Sequence, residues 1–218
     1  MKLHYFNLYG RAEPIRMLIS HAKIPDFEDV RFSFEQWPKA KAENNYEFAQ
    51  LPVLFVTDAT TGTTKQYCQT LSILRFLGRK YGFYPESPED GWLVDSAMDS
   101  TNDVINALAK AFWETDEERK AKIVADFIGG IFPVFLKAMN ARLEENSSRG
   151  PYLVGDKLTS ADFMFSAFIF SILYNELNPL GGAMLKPLFE KYEHLAKYAE
   201  TMKGVLAEYR ATNPPSAR

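Results

Sequence analysis

Three short stretches carry residue types that can do chemistry. In the first, Tyr5 stands in the apolar run Lys2–Asn7, which gives way almost at once to Gly10-Arg11-Ala12-Glu13-Pro14. A strand end followed by a glycine and a helix start is a place where sites are built, although a strand tyrosine taken alone is ordinarily a packing residue. In the second, Gln69 and Thr70 open a helix. Backbone N–H groups and the helix dipole there can receive an anion, and Thr70 can equally cap the helix. In the third, Asp95, Asp99, Asn102, Asp103 and Asn106 line one polar face of a helix, a pattern that by itself describes a solvated face. Other reactive types carry less. His4, His21 and His194 have no carboxylate or nucleophile at a telling separation, and Cys68 reads as a small buried hydrophobe in a strand. Lys41, four residues after Trp37, reads alone as a surface charge.

The elements that must position these residues change in kind along the chain. Residues 1–83 alternate strand-like and helix-like runs. Lys2–Asn7 reads as a strand and Glu13–Ala22 as a helix with Pro14 in its first turn, where the missing N–H costs little. Phe27–Phe32 alternates at period two, and Val53–Val56 and Lys65–Cys68 complete four strands, the last two joined by the turn-forming Asp58–Thr64. Between the second and third strands the chain reads as irregular. Leu71, Leu74, Leu77 and Tyr81 then recur at helical spacing. This order predicts a small α/β unit with a mixed sheet. Residues 84–91, with Pro85 and Pro88, read as a connector.

From residue 92 to 218 only helical periodicity remains. Leu93, Ala97, Thr101, Val104 and Leu108 share one face, and Asp116–Glu145 reads as a long helical stretch that bends at Gly129, Gly130 and Pro133. Thr159 and Asp162 have capping-box spacing before a helix expected to be buried on all sides. Helix resumes over Lys186–Ala211, and Thr212–Arg218 reads as a frayed tail.

Bulk properties narrow the function classes. The chain has 218 residues, 46% of them hydrophobic and 24% charged, as in a soluble globular protein. A net charge of −3 with both signs interspersed offers no basic stripe, so no nucleic-acid partner is expected. The N-terminus has no apolar signal region, and the apolar run Phe163–Tyr174 falls short of the roughly 20 residues that span a bilayer, so no membrane partner is expected. With one cysteine there is no internal disulfide, which fits a reducing, cytoplasmic location.

In order along the chain stand YFNLYGRAEPIR, WPKAK, FAQLPVL, CQTLSILRFL and LVGDKLTSADF. Together they resemble the cytosolic glutathione transferases of the tyrosine type, nearest to the sigma class that includes haematopoietic prostaglandin D synthase, over essentially the whole chain. The resemblance implies a thioredoxin-like N-terminal domain with a mixed four-stranded sheet and an all-α C-terminal domain that supplies a hydrophobic substrate pocket. It implies conjugation of reduced glutathione, a co-substrate, to small hydrophobic electrophiles in detoxification, by a homodimer without a cofactor. A free thiol titrates near ~8.5, and lowering that by about 2 units takes roughly 2.7 kcal/mol. A charge-assisted hydrogen bond supplies about 1.5–3 kcal/mol. The residue matching the family's hydroxyl donor is Tyr5, and Arg11 matches an arginine beside the thiolate.

The same resemblance assigns the rest of the glutathione site. Gln69 and Thr70 match the receivers of the γ-glutamyl carboxylate. Leu51 precedes Pro52, which matches a cis-proline whose neighbour pairs with the cysteinyl backbone. Trp37, Lys41 and Gln50 match contacts to the glycine end, with Gln50 where sigma enzymes often carry lysine. Asp103 of the partner subunit matches the acid that meets the glutathione amine across a dimer interface. Some sigma members hold a divalent cation on this face, but Asn102 replaces one of the acids, and no metal is expected. Phe48 stands where some relatives place an aromatic key in the partner subunit, and it can equally be a loop anchor. Phe6, Leu8, Tyr9, Phe112 and Trp113 are candidates for the electrophile pocket, although such aromatics more often belong to a core. Two alternatives share the scaffold: a glutathione-dependent prostaglandin isomerase or peroxidase, and a non-catalytic, crystallin-like binding or structural protein.

Overall fold

The computed structural model describes residues 1–178 and 180–216. Four strands, β1 (Lys2–Phe6), β2 (Glu28–Phe32), β3 (Val53–Thr57) and β4 (Thr64–Cys68), form one mixed sheet in the order β2-β1-β3-β4. β1 runs parallel to β2, with Tyr5 opposite Arg31, and antiparallel to β3, with Leu3 opposite Leu54; β3 and β4 are antiparallel. The parallel pair is joined through α1 (Glu13–His21), and α3 (Thr70–Tyr81) follows β4. The sheet and these two helices are the predicted α/β unit.

The stretch read as irregular contains a helix, α2 (Trp37–Asn44). Its sequence WPKAKAEN has almost no apolar stripe and buries only Ala40, so periodicity carries no sign of it. Trp37 nevertheless fixes it to the sheet, with ring centroids 5.7 Å from Phe6 and 5.4 Å from Tyr46.

The second unit is helical: α4 (Pro88–Trp113), α5 (Glu117–Gly129), α6 (Ile131–Asn146), α7 (Ser160–Phe168), α8 (Lys186–Phe189), α9 (Glu193–Val205) and α10 (Ala207–Thr212). α4 begins inside the expected connector, because Ser87 caps it by accepting from the Asp90 N–H and Pro88 sits where no N–H is needed. The long stretch breaks at Gly130, where a Cβ would lie 2.7 Å from the Asp126 carbonyl oxygen. The run Glu117–Asn146 is long and apolar enough, by length and composition, to cross a bilayer, contrary to the expectation that none would be. It is divided by that break and packs against α4 and α9. Its Phe127, Phe132, Phe135, Leu136, Met139 and Leu143 lie in the core.

Asp162 is fully buried and accepts from the N–H and hydroxyl of Thr159, both at 2.8 Å, closing the capping box, and from the Leu153 N–H and Tyr198 hydroxyl. α7 is buried along its length, as expected, and continues as a π-helical turn over Ile169–Leu173; a second π turn covers Gly181–Leu185. The two turns press together so closely that a Cβ at Gly181 would overlap the Ile172 carbonyl.

The units are joined through polar contacts. Ser160 at the start of α7 donates to the Leu74 and Phe83 carbonyls, and Arg75 of α3 pairs with Asp95 and Asp99 of α4 at 2.7 and 2.8 Å. The polar face of α4 is therefore an interdomain surface in part, not simply a solvated one. The expected fraying of the tail is also corrected within the described residues. Asn213 donates to Glu13 and accepts from Arg31, and the Ser216 carbonyl accepts from Asn175.

Candidate active site

Tyr5, one residue before the end of β1, packs into the core cluster with its residue 6% exposed. The chain then turns through Gly10, whose φ of +45° suits glycine. A Cβ there would stand 2.6 Å from the Tyr5 hydroxyl, so glycine is what lets the loop close over the phenol. The Tyr5 oxygen accepts from the Arg11 N–H at 2.9 Å, which fixes the oxygen and leaves its own proton free to donate. Burial pushes this phenol above its usual range, against the Arg11 amide and the Arg11 and Arg16 charges. It stays protonated near neutral pH, as a donor must.

The loop is held from below. Arg16, 2% exposed, donates to the carbonyls of Leu8 and Tyr9 and pairs with Glu13 and Asp29. Arg31 shares Asp29 at 2.6 Å, and Glu13 accepts from Tyr209 and Asn213 of the C-terminal segment at 2.8 Å each. Arg16 thus ties the loop to α1 and β2 and, through Glu13, to the C-terminal segment.

Two hollows meet at this loop. A polar cleft of about 730 Å³ is walled by Phe6, Trp37, Gln50, Leu51, Pro52, Gln69 and Ser72, among others. An apolar cavity of about 190 Å³ is walled by Tyr5, Leu8, Gly10, Phe112 and Trp113 with side chains of α4, α7 and the first π turn. Arg11, Thr70 and Asn102 belong to both walls.

In the cleft, the Leu51–Pro52 peptide is cis. Gln69 takes φ +70°, ψ 117°, a rare conformation for a residue with a Cβ and one that clusters at binding sites. Its amide donates to the Gln50 side chain at 3.2 Å. The Thr70 hydroxyl donates to the Arg11 carbonyl at 3.0 Å. Its single proton is spent on tying α3 to the Tyr5 loop, so the donors left for an anion at this helix end are first-turn N–H groups. Arg11 donates to Asn102 at 3.3 Å and Asn106 at 2.5 Å, which draws its guanidinium from the sheet across to α4.

Such a site offers a protonated, immobile hydroxyl and a guanidinium beside a polar trough, with an apolar chamber adjoining. Chemically it can hold a polar molecule extended, stabilise an anion at one point, and present that anion to a hydrophobic partner. A sequence profile described as "Glutathione S-transferase, C-terminal domain" matches residues 102–213. The chain is also 33% identical over 213 residues, 97% of its length and 99% of the relative's, to the class-mu 28 kDa glutathione S-transferase isozyme of Schistosoma japonicum. The chain belongs to the glutathione S-transferase family.

Solved glutathione S-transferase folds agree. A Nu-class enzyme of Haemonchus contortus superposes with TM-score 0.81 at 32% identity, over 100% of this chain and 98% of that one. A structure titled prostaglandin synthase D of Nilaparvata lugens gives 0.80 at 29%, over 98% of both. The family's two-domain plan, thioredoxin-like and then helical, is the plan seen here. As a member of this enzyme family the chain conjugates glutathione. The class labels on the relatives are mu and Nu, and a sigma-class structure of Fasciola hepatica shares the fold at TM-score 0.81 and 24% identity, so these likenesses assign the family and no single class within it.

The transferase fold gathers Tyr5, Arg11, Thr70, Leu8, Phe112 and Trp113 around the cavity, and Trp37, Gln50, Leu51, Pro52 and Gln69 around the cleft. Two pocket candidates go elsewhere. Phe6, next to Tyr5 on a strand and so facing the other way, lines the cleft and packs on Phe34 and Trp37. Tyr9, past the strand end, lines a separate hollow with Glu13 and Tyr209. Lys41 is exposed with its ammonium 5.9 Å from the Trp37 ring centre, Asp103 is exposed on α4, and Phe48 stands 54% exposed beside the cleft. Cys68 lines the cleft half-buried, and burial and Glu47 push its thiol up, away from a nucleophile's range.

The sequence reading missed Ile105 and Ala109 of α4 and Met164, Phe168 and Ile172 beyond it. A signal was present in the first set. Asn102, Ile105, Ala109 and Phe112 follow one another at helical spacing on a stripe distinct from the core stripe.

Proposed function

We propose that this enzyme binds reduced glutathione in the polar cleft and joins its sulfur to small hydrophobic electrophiles held in the apolar cavity. The observation that carries the reading is the Tyr5 hydroxyl, fixed by the Arg11 N–H with its proton free, on the wall of the cavity that meets the cleft. The thiol loses its proton to solvent, and the Tyr5 hydroxyl and Arg11 charge hold the resulting thiolate. The sulfur lone pair forms the C–S bond. With an aryl halide the halide leaves with its bonding pair; with an enone the pair moves to the oxygen and the product takes up a proton.

In the cleft, first-turn N–H groups of α3 receive the γ-glutamyl carboxylate beside Gln69 and Thr70, the Leu51 backbone pairs with the cysteinyl unit, and Trp37, Lys41 and Gln50 hold the glycine end. The enzyme acts as a sigma-like cytoplasmic homodimer, with Asp103 of the partner subunit meeting the amine. Phe48 is an exposed dimer-contact candidate. The domains divide at 1–83 and 92–218, with residues 84–91 between them.

The test is Tyr5→Phe. Turnover of a chromogenic aryl halide falls roughly 10- to 150-fold if the hydroxyl supplies about 1.5–3 kcal/mol, and the absorbance of bound thiolate titrates at higher pH. Unchanged turnover rejects the assignment. A second reading, glutathione-dependent prostaglandin isomerisation, is favoured by the likeness to the Nilaparvata lugens structure titled prostaglandin synthase D. Incubation with the prostaglandin endoperoxide and with an organic hydroperoxide separates isomerase, peroxidase and transferase.

A further inference from the structure

Arg11 is held through its backbone and its side chain alike. Its N–H donates to the Tyr5 hydroxyl at 2.9 Å, and its carbonyl accepts from the Thr70 hydroxyl at 3.0 Å. Its guanidinium donates to the side-chain oxygens of Asn102 at 3.3 Å and Asn106 at 2.5 Å. The backbone partners belong to the N-terminal unit and the side-chain partners to α4 of the helical one. A guanidinium has donors only, so the oxygen of each amide must be the atom that faces it. Asn102 and Asn106, four residues apart, are neighbours on the helix surface, and the shorter contact is to Asn106.

These partners set Arg11 apart from the arginines around it. Arg16 pairs with Glu13 and Asp29, Arg31 with Asp29, and Arg75 with Asp95 and Asp99, so carboxylates counter each of those charges. Among the described residues the side-chain partners of Arg11 are two neutral amides and no carboxylate. The titratable and charged groups that line the two hollows are Tyr5, Arg11, Cys68 and Arg75. Burial and Glu47 push the Cys68 thiol up, and Arg75 is taken by its two acids. Arg16, whose guanidinium lies 5.7 Å from the Tyr5 ring centre, is paired as well. On α4, Asp99 is held by Arg75, and Asp103 is exposed without a bond to Arg11. The uncountered positive charge on the wall shared by cleft and cavity is that of Arg11.

We propose that Asn106 is a positioning residue of the conjugation reaction: its neutral oxygen holds the Arg11 guanidinium on the shared wall and leaves the whole of its charge to the glutathione thiolate. Asn102 assists through the longer contact. A carboxylate in place of Asn106 would grip the arginine more strongly and take that charge for itself. The inference rests on the conjugation reading above, in which Tyr5 and Arg11 hold the thiolate.

Asn106→Asp separates this role from that of a simple brace. A brace would be unchanged or improved, because a charge-assisted bond is stronger than a neutral one. On the proposal the folded variant melts no lower than native enzyme, yet its bound thiolate, followed by ultraviolet absorbance, titrates roughly half a unit to one unit higher. That is the size expected of one solvent-screened charge a few ångströms away. Turnover of a chromogenic aryl halide falls about three- to tenfold at pH values below the native titration, one unit being tenfold, and the loss closes as pH rises through the raised value. Asn106→Leu removes the acceptor without adding a charge, and it gives a smaller rise. Asn106→Gln restores a neutral oxygen and stays nearer to native than Asn106→Asp. A thiolate titrating at the native pH in Asn106→Asp overturns the proposal, as does a larger rise in Asn106→Leu than in Asn106→Asp. A native titration in Asn106→Leu overturns it independently. If native enzyme with glutathione shows no thiolate absorbance below the range of the free thiol, the conjugation reading itself fails, and the proposal with it.

Discussion

The polar cleft and the apolar cavity share Arg11, Thr70 and Asn102, yet they are made by different means. The cleft is built from the ends of elements: the cis Leu51–Pro52 peptide, Gln69 at φ +70° and the first turn of α3. Its working groups are largely backbone, and their directions are fixed by a few residues of special type. The cavity is built from side chains on the faces of α4 and α7 and the π turn that follows. A helix face can change its side chains without changing its path. On the proposed function, the cleft is the part that can stay constant while the cavity is reshaped for new electrophiles, and Tyr5 acts between the two.

The largest break in that arrangement is expected from Gly10→Ala. The new Cβ would lie 2.6 Å from the Tyr5 hydroxyl at a φ of +45°. Either the loop or the phenol must move, and displacement of a catalytic group by about 1 Å can cost on the order of 10²-fold. Turnover should fall by about that factor, and backbone strain of about 1–3 kcal/mol should lower the melting temperature by several degrees. Glutathione affinity, which the proposed function assigns to groups of the cleft, should change less than about threefold, under 1 kcal/mol. Calorimetric titration beside steady-state kinetics reads both. Equal losses of affinity and turnover would mean that cleft and cavity are not separable at this loop.

Thr70→Val sharpens the comparison at a shared wall. The substitution keeps the shape, removes the donor to the Arg11 carbonyl and leaves a hydroxyl-free helix start. If the hydroxyl ties the Tyr5 loop, kcat falls roughly fivefold, the worth of about 1 kcal/mol, while the KM for glutathione barely moves. A rise in KM at constant kcat would instead return the hydroxyl to the γ-glutamyl carboxylate.

What was legible in the sequence follows the same division. The strands, α1, α3 and the capping box at Thr159 and Asp162 were readable because each depends on local periodicity or on a cap. Tyr5, Arg11, Gln69 and Thr70 sit at element ends marked by glycine and proline or by a change of period. α2 was invisible because it is held by one aromatic, Trp37, and not by an amphipathic stripe. The roles of Asn102 and Asn106 likewise needed the partner, Arg11, to be seen reaching across from the other unit.

The smallest expected effect is one of pH, and it bears on which hollow loosens first. His4 alternates with Tyr5 on β1 and so faces away from the cavity, into a ring cluster with Phe32, Tyr46 and Phe55. Its Nδ1 is 2.8 Å from the Tyr46 hydroxyl, and Tyr46 packs on Trp37 of the cleft wall. Burial and the Lys2 charge hold its pKa below the ordinary 6.5, with Glu28 opposing them. The folded chain thus binds fewer protons at His4 than the unfolded one. Its contribution is complete above the ordinary value and is lost as pH falls through the lowered one. His21 is lowered by burial and Lys23 and adds a slope of the same sign, but it packs on Phe83 and Phe163, remote from the Trp37 cluster. Glu13 and Asp162, raised by burial, add slopes of the opposite sign, so the His4 part is read as a difference: from about pH 7 to pH 5 the melting temperature of native enzyme should fall relative to that of His4→Gln, which keeps a partner for Tyr46. Over the same interval native glutathione affinity should weaken more than that of an uncharged dye in the cavity, and His4→Gln should narrow that gap. Parallel melting curves for native and variant would shift the acid sensitivity to His21, and the cleft would then be no more fragile than the chamber beside it.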